Sequence, residues 1–238
     1  MKKISKISNR VNLAIILAAG DGGRMGGIDK IFYQIKKKPL IFYTILAFEK
    51  HPQIEKIILV IKKADLPKFL SLIKKYKFKK IAAIVKGGKS RQASAFNGLK
   101  MAENLGIKSR DLILFHNGCN PLISQNEITK VIQAAQKYKA AALGQPAKDT
   151  IKEVTENRFI IRTIDRKKVF LAQTPQAIEY SLAKQAFEKA LKEKFRGTDD
   201  VSLIERLGKR VKIVPANFKN IKVTYPEDLL FVKSQLKY

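Results

Sequence analysis

The chain has 238 residues, 45% hydrophobic and 29% charged, and 48 Lys and Arg against 20 Asp and Glu give it a formal net charge of +28. That length suits one large domain, or one domain with a small appendage, with a real core, and apolar residues gathered in blocks exclude full disorder. The longest apolar run, Leu13 to Ala19, is far short of the roughly 20 residues of a membrane span, and the basic segment Met1 to Arg10 has no signal-peptide core, so a soluble, cytoplasmic protein is expected.

Taken in order, the elements alternate. Leu13 to Leu17 is an apolar strand ending at Ala18-Ala19-Gly20, and a helix follows from Pro39 to Lys50 with Pro at its first turn. Lys56 to Ile61 reads as a strand, Asp65 to Tyr76 as a helix, and Lys80 to Val85 as a strand. Ser90 to Leu105 is a helix closed by Gly106, Asp111 to Phe115 a strand, Asn126 to Tyr138 a helix, and Ala140 to Leu143 a short strand. Strands apolar on both faces, alternating with amphipathic helices, predict an α/β fold with a mainly parallel sheet sandwiched by helices. In such sheets ligands bind beyond the carboxyl ends of the strands, where the loops Ala18 to Lys30, Gly87 to Ser94 and His116 to Pro121 converge.

After Gly144 the rhythm changes. Lys152 to Arg166 alternates β-prone residues with charges around a turn at Glu156-Asn157, which predicts a protruding β-hairpin arm over about 145–168. Such an arm buries no face alone, so it is expected to pack on a partner chain. A helix from Ile178 to Lys194, a start at Thr198-Asp199-Asp200, a strand from Val211 to Val214 and a helix from Pro226 complete the chain, with no linker to divide it. Asp199 and Asp200 suit the N-terminus of a helix.

The first loop runs Ala18-Ala-Gly-Asp-Gly-Gly-Arg-Met-Gly-Gly-Ile-Asp-Lys30. Glycines let backbone N–H groups approach phosphate oxygens, and Arg24 and Lys30 supply charge to follow a triphosphate. The P-loop ending and the dinucleotide spacing are both absent.

This loop resembles the Ala-Ala-Gly-x-Gly-x-Arg-Met signature, followed by Lys, of sugar and polyol-phosphate nucleotidyltransferases. Gly87-Gly-Lys-Ser-Arg-Gln-Ala-Ser94 is similar to the Gly-Gly-x-x-Arg-x-x-Ser segment of the 2-C-methyl-D-erythritol 4-phosphate cytidylyltransferase family. Asp149 to Lys152, Thr163 to Arg166, Gln173 to Gln176, Thr198-Asp199 and Asn220 to Asp228 follow in that family's order. The resemblance runs from about Leu13 to the C-terminus.

It implies a Rossmann-like fold of the nucleotide-diphospho-sugar transferase type, homodimeric through the arm, joining CTP and 2-C-methyl-D-erythritol 4-phosphate with release of pyrophosphate and with Mg²⁺ as cofactor. By the same resemblance Arg24, Lys30 and Lys222 are catalytic, and Ala18, Ala19, Gly20, Gly88, Arg91 and Ser94 hold the nucleotide. Thr150, Arg166, Thr174 and Thr198 grip the polyol phosphate. The segment Phe115-His-Asn-Gly-Cys-Asn-Pro121 departs from the family's His-Asp-x-x-Arg-Pro, placing Asn117 at the metal-binding position and Asn120 at the acceptor-binding one. Asn117 lacks the charge a hard cation favours, and Asn120 lacks the guanidinium fork. Three readings stay open at this point: retained activity with the metal held mainly by the triphosphate, a different acceptor such as ribitol 5-phosphate, and a catalytically impaired nucleotide-binding protein.

Two features carry less. His116 is one of only two histidines and reads as a structural hydrogen-bonding residue, and Cys119 as a small loop residue. The high charge allows nucleic acid as a partner, and ten of the lysines lie between Lys62 and Lys89 with Asp65 as the single acid there. A nucleic-acid protein would pair such charge with aromatic residues or a known motif, whereas Trp is absent and the seven Tyr are dispersed.

Overall fold

The structure, a computed structural model, describes residues 10–20 and 25–236. Its centre is a seven-stranded sheet built from β1 (Asn12–Ala18), β4 (Lys56–Ile61), β5 (Ile81–Lys86), β6 (Leu112–Asn117), β7 (Ala140–Pro146), β10 (Phe170–Glu179) and β11 (Lys212–Pro215). The order is β11-β7-β10-β6-β1-β4-β5. All neighbours run parallel except β10, which is antiparallel to both β6 and β7.

The helices divide between the two faces because alternate strand residues do. Ala14, Ile16 and Ala18 of β1 pack on one side with α1 (Leu40–Glu49), α2 (Leu66–Tyr76), α4 (Gln125–Tyr138) and α7 (Pro226–Gln235). Leu13, Ile15 and Leu17 pack on the other with α3 (Arg91–Asn104), α5 (Tyr180–Lys192) and α6 (Val201–Arg206). A strand buried on both faces reads as an unbroken apolar run, as Leu13 to Leu17 does. Helix α4 begins with a capping box in which Ser124 and Glu127 bond reciprocally, which fixes its start against the sheet.

Helix α3 lies close to the sheet at Gly98. A Cβ there would stand 2.6 Å from Ile15 Cγ2 and 3.1 Å from Val60 Cγ2, both on central strands with no room to retreat. Gly98→Val is therefore expected to lower unfolding stability by at least about 2 kcal/mol, read from urea denaturation. An unchanged midpoint would contradict this packing.

Two elements differ from the sequence expectation. The helix expected from Ile178 starts at Tyr180, because Gln176 to Glu179 complete strand β10 between β6 and β7. Ala177 and Ile178 are apolar in either state, and only the two flanking strands decide between them. A small hairpin, β2 (Gln34–Ile35) with β3 (Lys38–Pro39), was not anticipated. Its turn residues Lys36 and Lys37 both take positive φ, 49° and 62°, a conformation usually signalled by Asn-Gly.

The arm is a separate two-stranded sheet, β8 (Ile151–Val154) antiparallel to β9 (Ile160–Ile164). The turn falls at Glu156-Asn157: Arg158 N donates to Thr155 O at 2.9 Å and Thr155 N to Phe159 O at 2.9 Å. Phe159, Ile160 and Ile161 are 72, 64 and 57% exposed, an apolar tip that no described residue covers. No helix among the described residues is long and apolar enough to cross a membrane.

Candidate active site

A cavity of about 340 Å³ opens beyond the carboxyl ends of β1 and β6. Ala18, Ala19 and Gly20 form one wall, Gly88 to Arg91 with Ser94 at the start of α3 form another, and Lys30, Asn117, Cys119 and Lys222 approach from three further segments. Strand ends and a helix N-terminus thus face one concavity, which suits an anion.

The α3 wall is shaped by local bonds. Ser90 caps the helix, its Oγ accepting from Ala93 N at 3.0 Å. Ser94 Oγ accepts from Gly88 N at 3.0 Å and donates to Ser90 O at 2.9 Å, which curls the loop back over the helix start. Gly87 is required by proximity, since a Cβ there would lie 2.3 Å from Ala19 Cβ.

The lysine wall is tied to the rest by backbone. Lys30 Nζ donates to Val223 O at 3.2 Å, Val223 N to Cys119 O at 2.9 Å, and Gly118 N to Leu17 O at 2.7 Å. The segment bearing Lys222 is held at its other end by Asn220, fully buried, whose Nδ2 donates to Thr174 O at 2.9 Å. Asp228 closes the same motif by capping α7, its Oδ2 accepting from Thr224 N at 2.7 Å and Tyr225 N at 2.9 Å. Much of the long final motif is therefore scaffolding that delivers Lys222.

Burial works against the Arg91 charge, but the Asp200 carboxylate outweighs it and holds the guanidinium above its ordinary value. Burial pushes the Cys119 thiol up, overcoming the pull of Lys30 and Lys222, so it stays protonated at neutral pH.

Of the residues expected at the site, Ala18, Ala19, Gly20, Lys30, Gly88, Arg91, Ser94, Asn117 and Lys222 line this one cavity. Arg24 lies outside the described residues. Asn120 does not line the cavity: it is buried beneath it, with its Oδ1 accepting from Asn117 Nδ2 at 3.2 Å. Thr174 is buried too, its Oγ1 accepting from Asn117 N at 3.3 Å. Thr150, Arg166 and Thr198 are exposed and outside the lining, with Arg166 Nη1 donating to Lys148 O at 2.6 Å.

The described lining does not suit a resident Mg²⁺. It holds no carboxylate, and among the described residues no cluster of His, Cys, Asp or Glu has metal-binding geometry. Asn117 Oδ1, the oxygen expected at the metal, accepts from Arg91 Nε at 3.3 Å and so faces a cation. Cys119 and Asp200 were missed as site residues: the first looked like a loop filler, and the second announces itself only through a partner more than a hundred residues away.

The model of the family described as 2-C-methyl-D-erythritol 4-phosphate cytidylyltransferase matches residues 12–237. The chain belongs to this family. A cytidylyltransferase of this description from Caldanaerobacter subterraneus is 40% identical over 94% of this chain and 98% of its own length. Another, from Bacillus velezensis, is 39% identical over 94% and 95%. Among solved structures, 4-diphosphocytidyl-2C-methyl-D-erythritol synthase from Anaerococcus prevotii is 31% identical with a TM-score of 0.82, covering 94% of this chain and 97% of that one. The 2-C-methyl-D-erythritol 4-phosphate cytidylyltransferase from Francisella tularensis is 28% identical with a TM-score of 0.79, covering 95% and 100%. The α/β nucleotidyltransferase fold of the family is thus the fold described above.

Proposed function

We infer that this chain joins CTP to 2-C-methyl-D-erythritol 4-phosphate, giving 4-diphosphocytidyl-2-C-methyl-D-erythritol and pyrophosphate in non-mevalonate isoprenoid biosynthesis. Family membership sets the reaction, and one structural observation carries it: Lys30 and Lys222, distant in sequence, meet at a cavity whose far wall is a helix N-terminus.

The acceptor's phosphate oxygen is already an anion, so no general base is needed. It attacks the α-phosphorus of CTP, a new P–O bond forms, and the bond to the bridging oxygen breaks with pyrophosphate leaving. The barrier is repulsion between phosphates and the charge that builds on the pentacoordinate α-phosphoryl group. We assign stabilisation of that charge to Lys30 and Lys222, with Arg24 of the same first loop. Ala18, Ala19, Gly20, Gly88 and Ser94 shape the wall for cytosine and ribose.

Mg²⁺ is proposed as a companion of the nucleotide rather than a resident of the protein. When bound it would neutralise triphosphate charge, with phosphate oxygens and water as its ligands. A cytoplasmic location is proposed with this reading, as a compartment that supplies CTP.

The acceptor grip is assigned to Thr150, Arg166 and Thr198, assisted by Thr174 from below, across a homodimer formed through the arm. Support comes from the exposed tip of Phe159, Ile160 and Ile161, an apolar surface that a second copy would remove from water. Ile161→Lys in the arm is expected to convert the dimer to monomer in sedimentation and to raise KM for the acceptor. A wild-type monomer would remove this part of the reading.

Pyrophosphate release with CTP and Mg²⁺ tests the whole, comparing methylerythritol phosphate, ribitol 5-phosphate and no acceptor. Release with methylerythritol phosphate alone is the expected result. Release only with ribitol 5-phosphate would move the acceptor, and silence with all three would mark an impaired enzyme.

A further inference from the structure

We infer that Asp200 is a positioning residue of the nucleotide pocket, acting through Arg91 on Asn117 and on the first turn of α3; this rests on the reading above that the pocket takes CTP.

Asp200 is 1% exposed and stands at the N-cap of α6, away from the cavity lining. It is held there from β10. Gln176 Oε1 accepts from the backbone N–H of Asp200 at 2.9 Å and of Val201 at 3.1 Å, while Gln176 Nε2 donates to Asp199 Oδ2 at 2.7 Å. The Asp200 carboxylate is therefore fixed before it meets any partner in the pocket.

Its two oxygens accept from Arg91 Nη1 at 2.9 Å and Nη2 at 2.6 Å, a two-pronged charged contact. Arg91 is the first residue of α3, where the helix dipole disfavours a cation. A partly buried guanidinium at such a place is held in one orientation by the full negative charge that faces it. The third contact then follows: Arg91 Nε donates to Asn117 Oδ1 at 3.3 Å, which turns Asn117 Nδ2 toward Asn120 Oδ1 at 3.2 Å and Thr174 Oγ1 at 3.4 Å.

One carboxylate outside the cavity thus sets the orientation of two residues inside it. Without it the Arg91 guanidinium has no reason to stay against α6, and both Asn117 and the start of α3 lose their reference. Arg91, placed by the sequence among nucleotide contacts, has its fork committed to Asp200 and acts on the nucleotide by shaping the wall.

CTP titration by calorimetry, without acceptor, tests this in wild type, Asp200→Asn, Arg91→Met and the Arg91→Met/Asp200→Asn double variant. Asp200→Asn is expected to weaken CTP binding by about tenfold or more, and the double variant to bind no more weakly than Arg91→Met alone, because both act through one contact. In steady state the loss should appear in KM for CTP, with kcat within about threefold, and Asp200→Glu should recover part of it. A merely structural role would change the thermal midpoint and leave KM of the folded enzyme alone. Wild-type binding with Asp200→Asn within about twofold, or additive losses in the double variant, would overturn the positioning role by itself. If Asp200→Asn does not fold, Arg91→Met/Asp200→Leu leaves no unpaired charge, and CTP affinity equal to wild type in that variant would likewise overturn it. A wild type that binds no CTP would overturn the functional reading, and the role of Asp200 with it.

Discussion

Lys222→Ala is expected to lower kcat for pyrophosphate release by about 10²–10³-fold, the size of loss seen when one preorganised charge donor is removed from a transition state. The side chain is exposed, while its segment is held independently by Asn220 on Thr174 O and by Val223 N on Cys119 O. Removing the ammonium therefore leaves the backbone in place, and unfolding stability should stay within about 0.5 kcal/mol of wild type. KM for CTP should change far less than kcat, because the role proposed for Lys222 is toward the charge on the α-phosphoryl oxygens, which is greatest in the transition state.

Lys30→Ala should lose at least as much and for two reasons. It removes a second cation, and it also breaks the 3.2 Å bond from Lys30 Nζ to Val223 O that ties the first loop to the Lys222 segment. Steady-state kinetics on both variants, with the folded fraction checked by thermal melting, decides the matter. Rates for Lys222→Ala within a few-fold of wild type would remove this lysine from the chemistry.

Stability should fall steeply with acid through His116, and here the sign can be worked out. The imidazole is 0% exposed, with Phe48 against its ring at 4.9 Å between centroids. Its Nε2 lies 3.1 Å from Asn120 O, a carbonyl, so Nε2 carries the proton, and the buried Nδ1 has no hydrogen-bond partner. Burial, helped by the nearby Arg91 charge, lowers its pKa to about 3 against the bond to Asn120. In the unfolded chain the ordinary value of about 6.5 returns.

Between those two values the unfolded state binds a proton that the native state refuses. The contribution of His116 is therefore complete above about pH 6.5 and is lost by about 1.4 kcal/mol for each unit below it, until the native pKa is reached. His51 adds in the same direction, its pKa lowered mainly by burial. Carboxylates also titrate in this range, so the variant His116→Gln provides the comparison, being neutral throughout and able to donate to Asn120 O. As pH falls from 6.5 to 4, the denaturation free energy of the wild type should fall by roughly 3 kcal/mol more than that of His116→Gln. Parallel curves would show that His116 takes no part.

Most of the sheet was legible because its strands are buried on both faces and appear as continuous apolar runs, from Leu13 to Leu17 and from Lys56 to Ile61. The hairpin arm was legible for the opposite reason, its β-prone residues alternating with charges around Glu156-Asn157. Strand β10 was not, since Ala177 and Ile178 satisfy helix and strand alike and only pairing with Phe115 to Leu112 on one side and Ala140 to Ala142 on the other selects the strand.

The same division holds at the site. Glycines that must approach a ligand or a neighbouring strand, and the cations Lys30 and Lys222, stand in local motifs that the sequence carries by itself, and with them the family and its reaction. The partners of those motifs were decided by folding. Asp200 on Arg91, Asn120 turned inward to Asn117, and Asn220 holding Thr174 join segments that only the closed sheet brings within hydrogen-bond distance. A short-range pattern fixes which side chains are available, but a buried polar group must find its partner wherever packing leaves one, and that choice belongs to the tertiary structure.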